Sequence, residues 1–400
     1  MLRKLFLVIC LAALALVLAL PTLAQDEFVF GMILVGPRDD QGWSQAHYEG
    51  GLYVEETVPG ARMLVFERLN PADSPETTML QVVTEMVDQG AQLIYTTSDD
   101  FKADTHEVAA AFPDVQFIHA SGDGALTGEA PPNVGNTMGQ MEWGKMIAGC
   151  AAALTTQTGS IGYLGPLINE ETRRLTASAY LGARYCYENY RGMSADDLTF
   201  TVTWIGFWFN IPGVTLDPTE EANTLLDNGA DVLISGIDTR QAIEVAGQRR
   251  EQGEEVWGIP YDFMDSCGEE GSVTANACLG VPYFHWGPEY KGITEAVIAG
   301  TYEQTWTWFG PDWSDLNNLD SSGIGFVKGA ALTEENSATL DEFIAMLAEF
   351  AAENPENFAL WVGPLNYQDG TEMAADGELV DRLDVWYLSQ LLEGMIGASE

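Results

Sequence analysis

Positive charge is what this 400-residue chain has least of. Lysine and arginine total 17 against 60 aspartates and glutamates, and four histidines leave the formal net charge at −43. Nucleic acid and anionic membrane surfaces both require basic patches, so neither is a partner. A strongly anionic ligand would need a locally basic pocket. The acidic excess reads as a solvated surface suited to a salty medium rather than as a calcium site. His47, His106, His119 and His285 lie far apart in sequence. The chain has no HExxH, no GxSxG elbow, no Walker loop, no EF-hand spacing and no GxGxxG after its first strand. Gly268-Glu269-Glu270-Gly271 is an acidic turn, not a phosphate cradle. An enzyme therefore has no nucleophile–base pair to rest on, and no cofactor or metal is expected.

Long apolar runs are also missing, except at the start. Arg3 and Lys4 precede the apolar stretch Leu5 to Leu20, and Thr22-Leu23-Ala24 offers small residues before Gln25. This reads as a cleaved signal peptide over residues 1–24 and places the protein on the periplasmic or extracellular side. A retained membrane anchor is the competing reading. Cys10 lies inside the apolar stretch after the large Ile9, which argues against a lipid-bearing cysteine. Cleavage would remove two basic residues and no acid, making the charge more negative still by two. Four cysteines remain, an even number in an exported protein. The spacing lets Cys267 close a short loop onto Cys278, leaving Cys150 for Cys186. Zinc is the alternative, but no CxxC pair or nearby histidine supports it.

With 46% hydrophobic and 19% charged residues, the chain is globular and long enough for two cores. Apolar runs at Phe28 to Leu34, Ala61 to Phe66, Leu93 to Thr97 and Gln116 to Ala120 alternate with helical stretches. Such alternation predicts a parallel, doubly wound sheet. Residues 122–135, rich in Gly and Pro, read as a crossing to a second lobe where the alternation restarts with strands at Ser160 to Leu164, Leu198 to Ile205 and Val256 to Ile259. The segment Thr301 to Leu316 reads as loop, Gly323 to Val327 as a last strand and Glu334 to Glu353 as a helix. A weak repeat joins the halves: Asp88-Gln89-Gly90-Ala91-Gln92-Leu93-Ile94-Tyr95 matches Asp227-Asn228-Gly229-Ala230-Asp231-Val232-Leu233-Ile234. Carried forward, it aligns Asp99 with Asp238, each just past a strand. Two such lobes would form a cleft at their strand ends. The expected division is 25–134 with a return segment at 283–310 for the first lobe, and 135–282 with 311–400 for the second.

Aromatic residues gather at those strand ends. Trp43 sits in Asp39-Asp40-Gln41-Gly42-Trp43-Ser44-Gln45, the turn between the first strand and the first helix. Trp204, Phe207, Trp208 and Phe209 follow a strand of the second half, and Trp286 opens a later helix. Trp204 and Phe207 read as core. Asn210 and Pro212 put Trp208 on an exposed turn. Facing flat rings would stack a planar ligand at low entropic cost.

The stretch Asp39 to Gln45 resembles the first-lobe motif of the basic membrane protein family, the substrate-binding proteins of ABC importers that include purine nucleoside receptors. Tyr95-Thr96-Thr97-Ser98, Phe112-Pro113-Asp114-Val115 and Trp286-Gly287-Pro288 are also similar to family landmarks. So are Gly363-Pro364-Leu365, Gln368-Asp369-Gly370, Gly377-Glu378, Trp386 and Glu393-Gly394. The resemblance implies the type I periplasmic binding fold: two Rossmann-like lobes on a hinge, monomeric, closing on a small molecule for an ABC permease. It implies that Trp43 and Trp208 sandwich a base, with Asp40, Ser98, Asp99 and Ser121 around it. Ser121 stands where the family often has an acid that reads the base. Pro260 and the stretch Phe284-His285-Trp286 replace the family's ribose-holding acid and lysine. These departures point to a free purine base such as adenine, lined further by Asp238, Asp262 and Trp286. A nucleoside binder, or a surface sensor module on the same fold, is the alternative; a nucleoside hydrolase would need a metal cluster that the sequence does not show.

Overall fold

A computed structural model describes residues 27–400; the expected signal peptide and Cys10 lie outside the described residues. The chain forms two parallel sheets, each sandwiched by helices. The first is built around β1 (Phe28–Leu34), buried along its whole length. A strand covered on both faces must be apolar throughout, and FVFGMIL obliges. It pairs in parallel with β2 (Ala61–Phe66) and β3 (Ala91–Thr97), and β4 (Gln116–Ala120) and β5 (Val134–Gly139) continue the sheet. Between these strands lie α1 (Trp43–Thr57), α2 (Met79–Asp88), α3 (Lys102–Ala111) and the short α4 (Gly124–Thr127).

The second half repeats the plan. Helix α5 (Met141–Thr155) leads to β6 (Ser160–Gly165), α6 (Glu170–Asn189), β7 (Thr199–Trp204), α7 (Pro218–Asp227), β8 (Val232–Ser235), α8 (Gln241–Glu251) and β9 (Trp257–Ile259). Strand order is β2-β1-β3-β4-β5 in one sheet and β7-β6-β8-β9 in the other. Both orders reverse direction at an equivalent point, between β1 and β3 and between β6 and β8. Such switch points open crevices at the carboxyl ends of the strands.

The crossing expected within residues 122–135 lies further on. Residues 134–139 form β5, which takes part in the first sheet, and the chain crosses at Gln140. It crosses again after β10 (Gly280–Phe284), where α9 (Gly287–Ile298) returns to pack on α1, and after β11 (Trp306–Phe309). That last strand was expected as loop. It is a four-residue edge strand parallel to β5 with Trp308 buried, too short to show a period between Gly300 and Pro311. Then β12 (Ile324–Lys328) pairs antiparallel with β10, and α10 (Glu334–Glu353) covers α5. The remainder holds the hairpin β13 (Leu365–Asn366) and β14 (Glu372–Ala374), helix α11 (Arg382–Trp386) and β15 (Met395–Ile396), which joins the edge of the second sheet beside β7.

Helices α5 and α6 pack backbone to backbone. A Cβ on Gly149 would lie 1.8 Å from the Ala179 carbonyl oxygen, and one on Gly182 would lie 2.0 Å from that of Met146. Backbones this close leave room for no larger side chain. The seam is tied by a disulfide between Cys150 and Cys186, Cα atoms 5.2 Å apart; Cys267 pairs with Cys278 at 5.7 Å. Both pairings agree with the expected ones. Cys150 and Cys186 close a loop of 36 residues. On chain entropy, replacing both with alanine should therefore cost about 3–4 kcal/mol in a denaturant titration.

Candidate functional site

A closed slot lies between the two sheets, lined by Trp43, Ser98, Asp99, Ser121, Glu171, Trp208, Asp238 and Tyr261. Each follows the carboxyl end of a strand: β1, β3, β3, β4, β6, β7, β8 and β9 in turn. Closed as it is here, the slot leaves free space of only about 10 Å³, so a ring enters only when the lobes part. A wider trough of about 400 Å³ runs along Leu69–Leu80 and α3, but it is open at the surface and no indole lines it.

Trp43 owes its position to Asp40. The Asp40 carboxylate accepts from the backbone N–H groups of Gly42, Ser44 and Gln45 at 2.9–3.0 Å, satisfying the free donors at the start of α1. Burial raises its pKa to about 6 against these bonds. Asp40 is thus a capping residue beside the slot, not part of its lining. Trp43 Nε1 donates to the Thr97 carbonyl at 2.8 Å, fixing the ring across the end of β3. His47, Phe284 and Trp286 support it from beneath, at 4.4–5.5 Å between centroids and nearly perpendicular to it.

Trp286 does not line the slot. It is fully buried, stacked on His47 at 4.1 Å and on Phe284 at 5.1 Å, one layer behind Trp43. Asp262 is displaced likewise. Its residue has φ +73°, the side chain is sealed behind Tyr261, and neither carboxyl oxygen has a partner. Burial drives its pKa well above the carboxylate range, although the nearby Lys145 opposes this. Lys145 donates to the Ser235 carbonyl at 2.7 Å, and its Nζ sits 3.2 Å from the centre of the Tyr261 ring. Burial lowers the Lys145 pKa to about 7, with Asp262 opposing, and its amine supports one wall of the slot from behind.

Trp208 is 8% exposed, less than the half-buried Trp204 and Phe207, so the order of burial expected along this turn is reversed. Trp204 lies on the sheet edge and donates through Nε1 to Ala398. The Trp208 carbonyl accepts from the Asp238 N–H at 3.0 Å, which ties two slot loops together. On the other side, His119 Nε2–H donates to the Ser98 carbonyl at 2.7 Å, while Asn136 donates to the Ser121 carbonyl at 2.9 Å. Burial lowers the His119 pKa to about 4, so the ring is neutral and can fill this role.

Contacts between the lobes hold the slot shut. Ser266 Oγ donates to the Gln41 carbonyl at 2.5 Å, and Asn169 donates to Asp99 at 3.2 Å. At Gly42 the approach is closer still: a Cβ there would lie 1.7 Å from the Asp238 carbonyl oxygen. Acids dominate the interior. Burial raises the pKa of Asp99, lifts that of Glu171 to about 7 and drives that of Asp238 well above its usual range. A carboxyl that keeps its proton both donates and accepts, as the edge of a heterocycle does.

Six of the nine residues expected from sequence meet in the slot: Trp43, Ser98, Asp99, Ser121, Trp208 and Asp238. Asp99 and Asp238, matched through the repeat, face the same space from opposite lobes. Glu171 and Tyr261 were missed. Glu171 follows β6, the second-half counterpart of β1, so extending the repeat back to the first strand of each half would have reached it.

The family model for PnrA-like ABC transporter substrate-binding proteins matches residues 28–277. A purine-binding protein of Brucella abortus (strain 2308) is 28% identical over 370 residues, 90% of either chain. A Haloferax volcanii protein described as a putative ABC transporter glucose-binding protein is 28% identical over 274 residues, 68% of this chain and 61% of that one. Among solved structures, an ABC transporter solute-binding protein from Conexibacter woesei superposes with a TM-score of 0.57 at 20% identity, covering 82% of this chain and 97% of that one.

Substituting Gly42 with alanine should prop the lobes apart. Solution scattering should then give a larger radius of gyration than for the unmodified protein, with an unchanged far-UV spectrum.

Proposed function

The chain belongs to the PnrA-like substrate-binding proteins of ABC transporters, and on that premise we propose that it captures a free purine base, flat between Trp43 and Trp208, for delivery to an ABC permease. It is a binding protein of a transport system, not an enzyme. The observation that carries the reading is the pairing of two indoles, one from each lobe, in a single narrow slot. Purine rings are thin and polarizable, and stacking on an aromatic face contributes about 1–3 kcal/mol per base. Around the ring edge stand Ser98, Asp99, Ser121, Glu171, Asp238 and Tyr261, groups able to donate and accept.

Two departures favour a free base over a nucleoside: Phe284-His285-Trp286 stands where a ribose-holding lysine would be, with both aromatic rings packed behind Trp43, and Pro260 brings no side-chain hydrogen-bonding group. The Brucella relative, named for purine binding, supports the same ligand class. A sugar also stacks on indoles, and the name of the Haloferax relative makes glucose a necessary comparison.

Titration of tryptophan fluorescence with adenine, guanine, hypoxanthine, adenosine and glucose tests the proposal. Saturable quenching by at least one free base, with nucleosides and glucose weaker by tenfold or more, is expected. Trp208→Ala and Trp43→Ala should each weaken base binding roughly 10- to 100-fold, the stacking contribution restated as an affinity. Saturation by glucose alone would overturn the purine reading.

A further inference from the structure

Glu171 has no counterpart in the motifs that mark the slot, yet it is better placed to read a ligand than several residues that do. It lies in the first turn of α6, held by the cap that Asn169 and Thr172 build reciprocally at the start of that helix. Its side chain lines the slot and is 92% buried, at 8% exposure. The Ser121 hydroxyl lies close enough to favour its ionised form, and no other hydrogen bond holds the carboxyl among the described residues. Its nearest cation, Arg174 Nη2, is 3.9 Å away.

That guanidinium is shared: Nη2, on the Glu171 side, has no hydrogen-bond partner among the described residues, while its other bonds go elsewhere. Arg174 Nε bonds Glu142 at 2.7 Å, both side chains being buried, and the guanidinium lies 4.1 Å from the centre of the Trp386 ring. Lys102, which faces Asp99, is bonded to Asp123 at 2.7 Å, and Lys145, which faces Asp262, donates to the Ser235 carbonyl with its pKa lowered to about 7 by burial. Asp99 faces Glu171 from the first lobe with Ser121 beside it; Glu142 faces it from α5, and Asp238 and Asp262 from the second-lobe loops. Carboxyls outnumber cations in this closed space. Leaving them all ionised would cost far more than retaining a proton. Glu171 is raised to about 7, mainly by burial, with Asp99 and Glu142 pushing the same way and Arg174 opposing.

We propose that Glu171 reads the hydrogen-bonding edge of the ligand as a neutral acid. It thereby selects a purine edge with an acceptor beside a donor, such as the ring nitrogen and exocyclic amine of adenine. The inference rests on the purine reading above. A neutral carboxyl offers one O–H donor and one carbonyl acceptor; the ionised form only accepts. Adenine presents N7 and the N6 amine side by side. Because Glu171 comes from the second lobe while Trp43 comes from the first, the edge is read only when the lobes close. A ligand that stacks on Trp43 but lacks that edge would not complete closure.

The sign of the pH dependence follows. The bound form holds a proton that the open form, with Glu171 in water, releases above its ordinary range. Rising pH therefore opposes binding through the interval that ends near 7. Calorimetric titration with adenine at pH 5, 6.5 and 8 tests this on the unmodified protein, Glu171→Gln and Glu171→Ala. The unmodified protein should lose about tenfold or more in affinity from pH 5 to 8 and take up close to one proton per adenine near pH 6, between the open-form and closed-form values, measured in buffers of different ionisation enthalpy. Glu171→Gln, with a fixed donor and acceptor, should hold its affinity within about threefold across that range and take up none. Glu171→Ala should be weaker about tenfold or more at pH 5. The inference is overturned if Glu171→Ala binds like the unmodified protein, if Glu171→Gln keeps the pH dependence, or if the unmodified protein binds adenine with no proton uptake. Absence of binding to any purine at any pH would instead overturn the purine reading itself.

Discussion

The backbone of Gly42 rests against the carbonyl of Asp238, with no space between them for even a methyl group. Much of the site follows from that contact. Asp40 bonds the free N–H groups at the start of the helix that opens with Trp43 and so sets that ring, while Asp238 is tied through its N–H to the Trp208 carbonyl. One backbone approach thus brings the two indole-bearing turns to a fixed separation. Any side chain at position 42 would widen the slot. A glycine is required here for closeness rather than for an unusual dihedral angle, a distinction that decides which substitutions should fail.

Closure also concentrates acid. The chain has little positive charge to place in its interior, and what it places there supports walls: Lys145 behind Tyr261, Arg174 between Glu142 and Trp386. The slot carboxyls therefore meet low dielectric with fewer cations than acids, and protons make up the difference. Such a site suits an uncharged ligand with mixed donors and acceptors. It disfavours phosphates, consistent with binding a base rather than a nucleotide. The acidic exterior plays no part in this; it follows from exposed carboxylates in water.

Most of the fold was legible. The strand β1 is an unbroken apolar run because helices cover both its faces, and α10 shows plain helical spacing between Thr333 and Asn354. The turn carrying Trp43 could be located because a capping aspartate, a glycine and a helix start occur in order. Strand β11 escaped notice because four residues cannot display a period, and its partner β5 was hidden in a glycine-rich stretch. The site was harder to read. Trp43 and Trp286 each open a helix after a strand, and nothing in the sequence states which is in front; the structure sets Trp286 edge-on behind Trp43. Asp262 follows a strand as Asp238 does, yet a left-handed backbone turns it behind Tyr261. Glu171 was lost among sixty acids. The family model and the repeated strand order agree on two lobes, so the uncertainty lay in side-chain direction, which spacing alone does not encode.

The central claim is that a thin, unsaturated ring lies between Trp43 and Trp208. A crystal structure of the protein grown with adenine tests it most directly. The account predicts flat density parallel to both indoles, with Glu171 within hydrogen-bond distance of its edge. Density for the base anywhere else, or the two indoles in contact with each other while the base is bound, would contradict it.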